Sequence, residues 1–233
     1  MQMLRYAAVV AISLVTTSAS AQQASPPAAA PPETATPAKP AKPVVPMEEP
    51  KLGDRWTYEV RDEITGKISA TRENVVTDVA PNEITVRYKN LANDKTGFNI
   101  YDRSWNLVED QPWRFSPHDG SGIQSPLTVG KAWRVQTNNI NSTTGNIWKR
   151  SGTSKVVGQE SVTTKAGTFD TFMIETTFSA KNANNPTLKN EVTSLTWYAP
   201  AIDHWVKRSF VSKANGHLQI STMIELLEYG RRQ

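Results

Sequence analysis

Phe172-Met173-Ile174-Glu175-Thr176-Thr177-Phe178 decides the fold class. Phe172, Ile174, Thr176 and Phe178 alternate with Met173, Glu175 and Thr177, and a period of two places each set on one face of an extended chain. The same alternation recurs on both sides of this stretch. Trp56, Tyr58 and Val60 alternate with Thr57, Glu59 and Arg61, and Ile84, Val86 and Tyr88 with Thr85, Arg87 and Lys89. Leu195 and Trp197 share a face, as do Leu218, Ile220, Thr222 and Ile224. One apolar face and one polar face is the pattern of half-buried antiparallel strands. No segment carries a helical stripe. Met223 to Tyr229 has some helix propensity, but the alternation leading into it favours a strand.

Turn chemistry separates these runs. Thr65-Gly66, Asp94-Lys95-Thr96-Gly97, Thr144-Gly145 and Asn215-Gly216 lie between them, and Asn-Gly is a strong hairpin signal. Strands are expected near 54–62, 67–79, 82–90, 97–102, 105–109, 131–138, 146–160, 168–180, 190–198, 204–213 and 217–228. Ten or eleven sequential strands on short turns make an all-β antiparallel meander. Such a sheet must curl into a half-barrel, a barrel or a sandwich to protect its faces and edges.

N-terminal to the strands the composition changes twice. Residues 1–21 read as a signal peptide: Arg5, an apolar run from Tyr6 to Val15, then Ala19-Ser20-Ala21. The run is shorter than the roughly 20 residues a spanning helix needs. Residues 22–46 hold eight of the 15 prolines and no aromatic residue, so a disordered, semi-stiff Pro/Ala-rich tether is expected there. All seven Trp lie beyond it. Residues 47–233 suffice for one antiparallel β domain with a sizeable core. The expected compartment is the periplasm or the exterior.

Composition excludes several chemistries. With no Cys there is no disulfide framework, thiolate metal site or cysteine nucleophile. A formal charge of +4 without basic clusters argues against nucleic-acid binding. The three His have no zinc-ligand spacing. There is no G-x-S-x-G, S-x-x-K, H-E-x-x-H or Walker loop, so no cofactor and no enzymatic activity is expected.

Gly53-Asp54-Arg55-Trp56-Thr57-Tyr58 resembles Gly130-Lys131-Ala132-Trp133-Arg134-Val135. Each is followed by a Thr-Gly turn, an Ile, and a Val-Val pair at 75–76 or 156–157. Either two hairpins open two halves of one curved sheet, or turn-strand syntax recurs by chance.

A family resemblance rests on five stretches: 52–58, Pro126 to Trp133, Ala166-Gly167-Thr168-Phe169-Asp170-Thr171-Phe172, Thr196-Trp197-Tyr198-Ala199-Pro200 and Ile224 to Tyr229. Together they resemble a TapB-like family of bacterial envelope proteins, distantly similar to the half-barrel lipoprotein carriers LolA and LolB. That family commonly has Gly where this chain has Asp203-His204. The resemblance implies a curved sheet in the cell envelope and supplies no catalytic residues.

Gln111 to Pro126 is the stretch most open to a functional reading. It is longer than a usual hairpin loop and was expected to lack strand structure. Trp113, Arg114, Phe115 and His118 would form a flap over the curved sheet, with Gly120 and Gly122 as flexible points; alternatively, the rings tuck into the core. Asp203-His204 reads as a turn pair, since neighbours on a strand face opposite sides. Trp56, Trp133 and Trp197 read as core, while Trp105, Trp113, Trp148 and Trp205 are left open.

The expected function is therefore ligand binding in the envelope. The ligand is a hydrophobic small molecule or lipid, held on the concave face in a cavity lined by residues such as Ile84, Val86, Phe172 and Ile174. Two alternatives stand beside it: an assembly module docking an envelope protein, with peripheral membrane contact, and a hydrolase using His118 or His204.

Overall fold

The structure, a computed structural model, describes residue 44 and residues 46–231. The expected signal peptide and almost all of the expected tether lie outside them. Twelve antiparallel strands follow one another: β1 (Arg55–Asp62), β2 (Ile68–Val79), β3 (Glu83–Asn90), β4 (Thr96–Asp102), β5 (Leu107–Asp110), β6 (Trp113–Ser116), β7 (Ala132–Asn141), β8 (Ile147–Thr164), β9 (Gly167–Asn182), β10 (Lys189–Ala199), β11 (His204–Ala214) and β12 (His217–Gly230). Each pairs with its sequence neighbour, and β12 returns to pair with β1, so the meander closes into a barrel without edges. A short 3₁₀ turn, Pro200–Ile202, links β10 to β11.

The sequence reading finds eleven of these strands. The missed one is β6, whose four residues pair with both β5 and β7. The expectation that 111–126 lacks strand structure is therefore wrong for Trp113–Ser116.

The internal similarity is real at the level of hydrogen bonds. The Gly53 N–H donates to the Val76 carbonyl at 2.9 Å and the Val76 N–H to Asp54 O at 2.8 Å; Gly130, Val156 and Lys131 repeat the pattern at 2.8 and 2.8 Å. At the first turn of each half, Asp62 and Asn141 accept from the backbone two and three residues on. Gly66 and Gly145 close those turns at φ 69° and 70°. The barrel is thus two six-stranded halves, β1–β6 and β7–β12.

A twelve-stranded barrel is wider than the eight-stranded barrels that side chains can fill, and this one is filled at one end only. There, Trp56, Val76, Ile84, Trp105, Ile202, Val206 and Leu226 are at most 2% exposed. A second cluster of Ile123, Val156, Ile174 and Tyr198 packs beside them. The long connection after β6 completes this plug. Asp119, Gly120, Gly122 and Ile123 are all buried. Ile123 N–H donates to Ser104 O, Gly122 N–H to Asn106 Oδ1, and Leu107 N–H to Asp119 Oδ1.

Candidate functional site

Strand alternation sends Trp113 and Phe115 of β6, Trp148 and Arg150 of β8, Phe178 of β9, Val192 of β10, Phe210 of β11 and Ile220 of β12 toward the lumen at the unplugged end. They surround a cavity of about 520 Å³, within the size range of small-ligand pockets. The inward aromatic rings here are half-exposed, whereas Trp56 and Trp105 at the plugged end are 1% and 2% exposed. The difference is that no described residue fills the lumen at the open end.

Deeper in, between the open cavity and the plug, lies a smaller cavity of about 160 Å³. Tyr58, Arg72, Asn74, Val86, Asn99, Tyr101, Trp205 and Arg208 line it. The lumen therefore carries three guanidinium groups, Arg72, Arg150 and Arg208, and each lies on an aromatic ring. The Arg72 carbon is 3.6 Å from the Tyr88 centroid, Arg150 is 3.6 Å from Phe178, and Arg208 is 4.1 Å from Trp205. These distances give cation–π attraction. Gly97 leaves room for the Tyr88 ring, which any Cβ there would overlap.

None of the three arginines has a carboxylate within 4.0 Å among the described residues. Arg208 Nε donates to Thr196 Oγ1 at 3.0 Å, and Arg150 Nη1 to Asn139 Oδ1 at 3.4 Å. The buried Nε atoms of Arg72 and Arg150 have no partner among the described residues. Burial lowers the pKa of Arg150 and of Arg208, with Asp119 opposing it in both. Burial raises the Asp110 carboxyl, and Arg72 pulls it back down.

The four residues singled out in the sequence separate. Trp113 and Phe115 line the open cavity, but from a strand and not from a flap. Arg114, between them, is exposed on the outer face. His118 is half-buried and its Nδ1 accepts from the Gly120 N–H at 3.1 Å. Gly120 and Gly122 are packing positions, since a Cβ on either would overlap Val135 or Asn106. Neither glycine therefore stands in the open space that a flexible point of a gate would need.

Other expectations need correction. Ile84 and Ile174 are buried in the plug, and Phe172 packs against it, so of the four expected lining residues only Val86 borders a lumen cavity. Trp133 and Trp197 are half-buried at the edge of the core. The Trp197 indole N–H donates to Glu160 Oε1. Neither His–Asp neighbour pair makes a base and its orienter. Asp119 accepts from Leu107 and Ser121, while Asp203 accepts from Tyr198 and Trp105. His204 is 3% exposed among Trp56, Trp105 and Trp205.

The lumen arginines escaped the sequence reading because an inward Arg looks like any solvent-facing one. One signal was present: Arg208 is in phase with Phe210 and Ser212, and Arg150 with Trp148.

A family model described as DUF3108-like matches residues 128–223, which is nearly the whole second half of the barrel. No curated protein matches the chain in sequence. Two solved structures are similar in fold. One, named as a candidate lipoprotein of Parabacteroides distasonis ATCC 8503, is 12% identical with a TM-score of 0.55, covering 81% of this chain and 100% of that one. The other, a candidate exported protein with YmcC-like fold from Bacteroides fragilis NCTC 9343, is 14% identical with a TM-score of 0.50, covering 80% and 100%. At such identities the likeness is one of fold alone.

Proposed function

We propose that this chain is an exported, non-enzymatic envelope protein that holds an apolar or amphipathic ligand inside its barrel. The observation that carries this reading is the open-end cavity of about 520 Å³ ringed by half-exposed inward aromatics. Rings left partly wet inside a closed barrel gain burial when an apolar ligand enters. Export is supported by the signal-like residues 1–21 and by the descriptions of the two structures that share the fold. The TapB-like, LolA and LolB resemblance adds an envelope setting, although those carriers are half-barrels and this barrel is closed.

Titration with N-phenyl-1-naphthylamine tests the reading. Saturable, blue-shifted dye emission at one dye per chain is expected. Absence of saturable binding overturns it.

A second reading has its own observation. Ile64, Leu91, Leu188 and Leu218 are 55%, 49%, 44% and 49% exposed, and they sit in or beside four hairpin turns at the open end. An apolar rim of this kind suits docking to an envelope protein or to a membrane surface. Under that reading, serine at Ile64, Leu91 and Leu188 abolishes flotation with phospholipid vesicles while dye capture persists.

A further inference from the structure

The apolar wall of the lumen explains why an apolar chain would enter, but it leaves the three guanidiniums unexplained. A protein that only needed to line a cavity would not place Arg72, Arg150 and Arg208 on the inner face. Burying a cation costs free energy unless an anion or several acceptors compensate it. Here the compensation is incomplete. Arg150 is 8% exposed, its Nε–H has no acceptor, and no carboxylate lies within 4.0 Å. Arg72 has the same orphaned Nε–H.

Two carboxylates act on these groups from a distance, Asp119 on Arg150 and Arg208, and Asp110 with Arg72. Among the described residues, three guanidiniums against two carboxylates leave the lumen one positive charge in excess. Asp119 is already committed to the N–H groups of Leu107 and Ser121 at 2.8 and 3.0 Å. Each of the three guanidiniums lies over an aromatic ring, at 3.6, 3.6 and 4.1 Å from its centroid, and a planar guanidinium fork is suited to two parallel hydrogen bonds to an oxyanion.

Resting on the lumen reading above, we propose that the ligand is a single-chain amphiphile with an acidic headgroup. Its oxyanion is received by Arg150, with Arg72 and Arg208 deeper in the lumen. Its chain lies along Phe115, Trp148, Phe178 and Phe210 toward the open end. The headgroup chemistry is that of a carboxylate or phosphate, with two oxygens to meet a guanidinium. An entering anion satisfies the orphaned Nε–H groups in a water-poor site, where such bonds are stronger than in bulk solvent.

Isothermal titration of the mature protein decides this, with probes kept below their micelle-forming concentrations. The probes are dodecanoate, dodecyl phosphate, dodecanol, dodecyltrimethylammonium and inorganic phosphate. Dodecanoate and dodecyl phosphate are expected to bind at least tenfold more tightly than dodecanol, and dodecyltrimethylammonium more weakly than any other dodecyl probe. Arg150→Met should bring dodecanoate down to the dodecanol level, and Arg208→Met serves if that variant fails to fold. Equal affinity for dodecanoate and dodecanol in the unmodified protein overturns this inference and leaves the lumen reading standing. Failure of every dodecyl probe to bind overturns both. Inorganic phosphate binding as tightly as dodecyl phosphate shows a site for a free anion and overturns the amphiphile.

Discussion

Arg231 grips Asp54 across the seam of the barrel with two hydrogen bonds, Nε to Oδ1 at 2.7 Å and Nη2 to Oδ2 at 2.9 Å. Asp54 precedes β1 and is fully buried, while Arg231 follows β12, and Arg55 pairs with Gly230 between them. Lys51 N–H is the other donor to the same carboxylate. The pair therefore ties the last strand to the first, two strands that pair although they are not consecutive in the chain. Arg231→Leu leaves a buried carboxylate with a single backbone donor. Because the Arg231 side chain is 28% exposed, the expected loss is about 2 kcal/mol and not the larger figure of a wholly buried pair. Urea denaturation measures it, and an unchanged midpoint shows that strand pairing closes the seam unaided.

Gly120 tests whether the connection after β6 is a hinge or a plug. Its φ is 77°, and a Cβ there would overlap the Val135 side chain on β7. Gly120→Ala combines a left-handed backbone strain with overpacking of a buried contact, together about 2–4 kcal/mol. A thermal melt should show the loss clearly. A flexible gate would predict almost none, so a variant as stable as the parent returns the segment to the role of a mobile loop.

The contrast between β6 and its neighbours shows what was legible and what was not. Trp113-Arg114-Phe115-Ser116 has the period-two pattern that identified β1, β3 and β9. It is only four residues long and is flanked by Pro112 and Pro117, which cannot donate to a ladder, so it resembles a loop. Local pairing was readable because short turns dictate it. Closure was not, since β1 meets β12 through contacts some 170 residues apart in register, as in Trp56 with Tyr229. Alternation placed Arg87 on the outer face, opposite Ile84, Val86 and Tyr88, but around Arg72 the run Ser69-Ala70-Thr71-Arg72-Glu73-Asn74 has no apolar face to mark the lumen side.

His204 gives a pH dependence with a definite sign. Its ring centroid is 3.8 Å from that of Trp205, 4.3 Å from Trp56 and 4.5 Å from Trp105. Burial, and then Arg208, hold its pKa well below the ordinary 6.5, against a weaker raising effect from the Asp203 backbone. An unfolded chain takes up this proton near 6.5 and the folded chain does not. The unfolded state therefore binds more protons below that pH, and stability is full above about 6.5 and falls as the solution is acidified. Relative to His204→Phe, the parent should lose up to about 1.4 kcal/mol per pH unit below 6.5. Asp110 and Asp203, whose carboxyls burial raises above 3.8, act in the opposite sense: their share of stability is present in acid and lost as pH rises through the folded values. Both proteins carry them, so they cancel in the difference. A difference that stays flat from pH 7 to pH 5.5 means the imidazole charges freely inside the fold.

Trp113 and Phe115 carry the most direct prediction for ligand capture. Both stand on β6 with backbone pairing on either side, at Asp110 of β5 and at Asn141 and Asn139 of β7. Their rings are half-exposed to the lumen, and Phe115 lies 5.9 Å from the Arg150 guanidinium carbon. Replacing both with Ala removes apolar surface that is only partly buried, so the barrel should stay folded by circular dichroism with a modestly lower melting temperature. What is lost is surface that a ligand would cover. The two rings together are worth on the order of 1–3 kcal/mol of burial on binding. That corresponds to roughly a fivefold to 150-fold weaker capture of N-phenyl-1-naphthylamine. Arg114→Ala, on the outer face between them, should leave the dye affinity where it was. If the double variant unfolds, the rings belong to the core. If it folds and binds the dye as the parent does, the ligand enters elsewhere, and the rim of Ile64, Leu91 and Leu188 becomes the surface to examine.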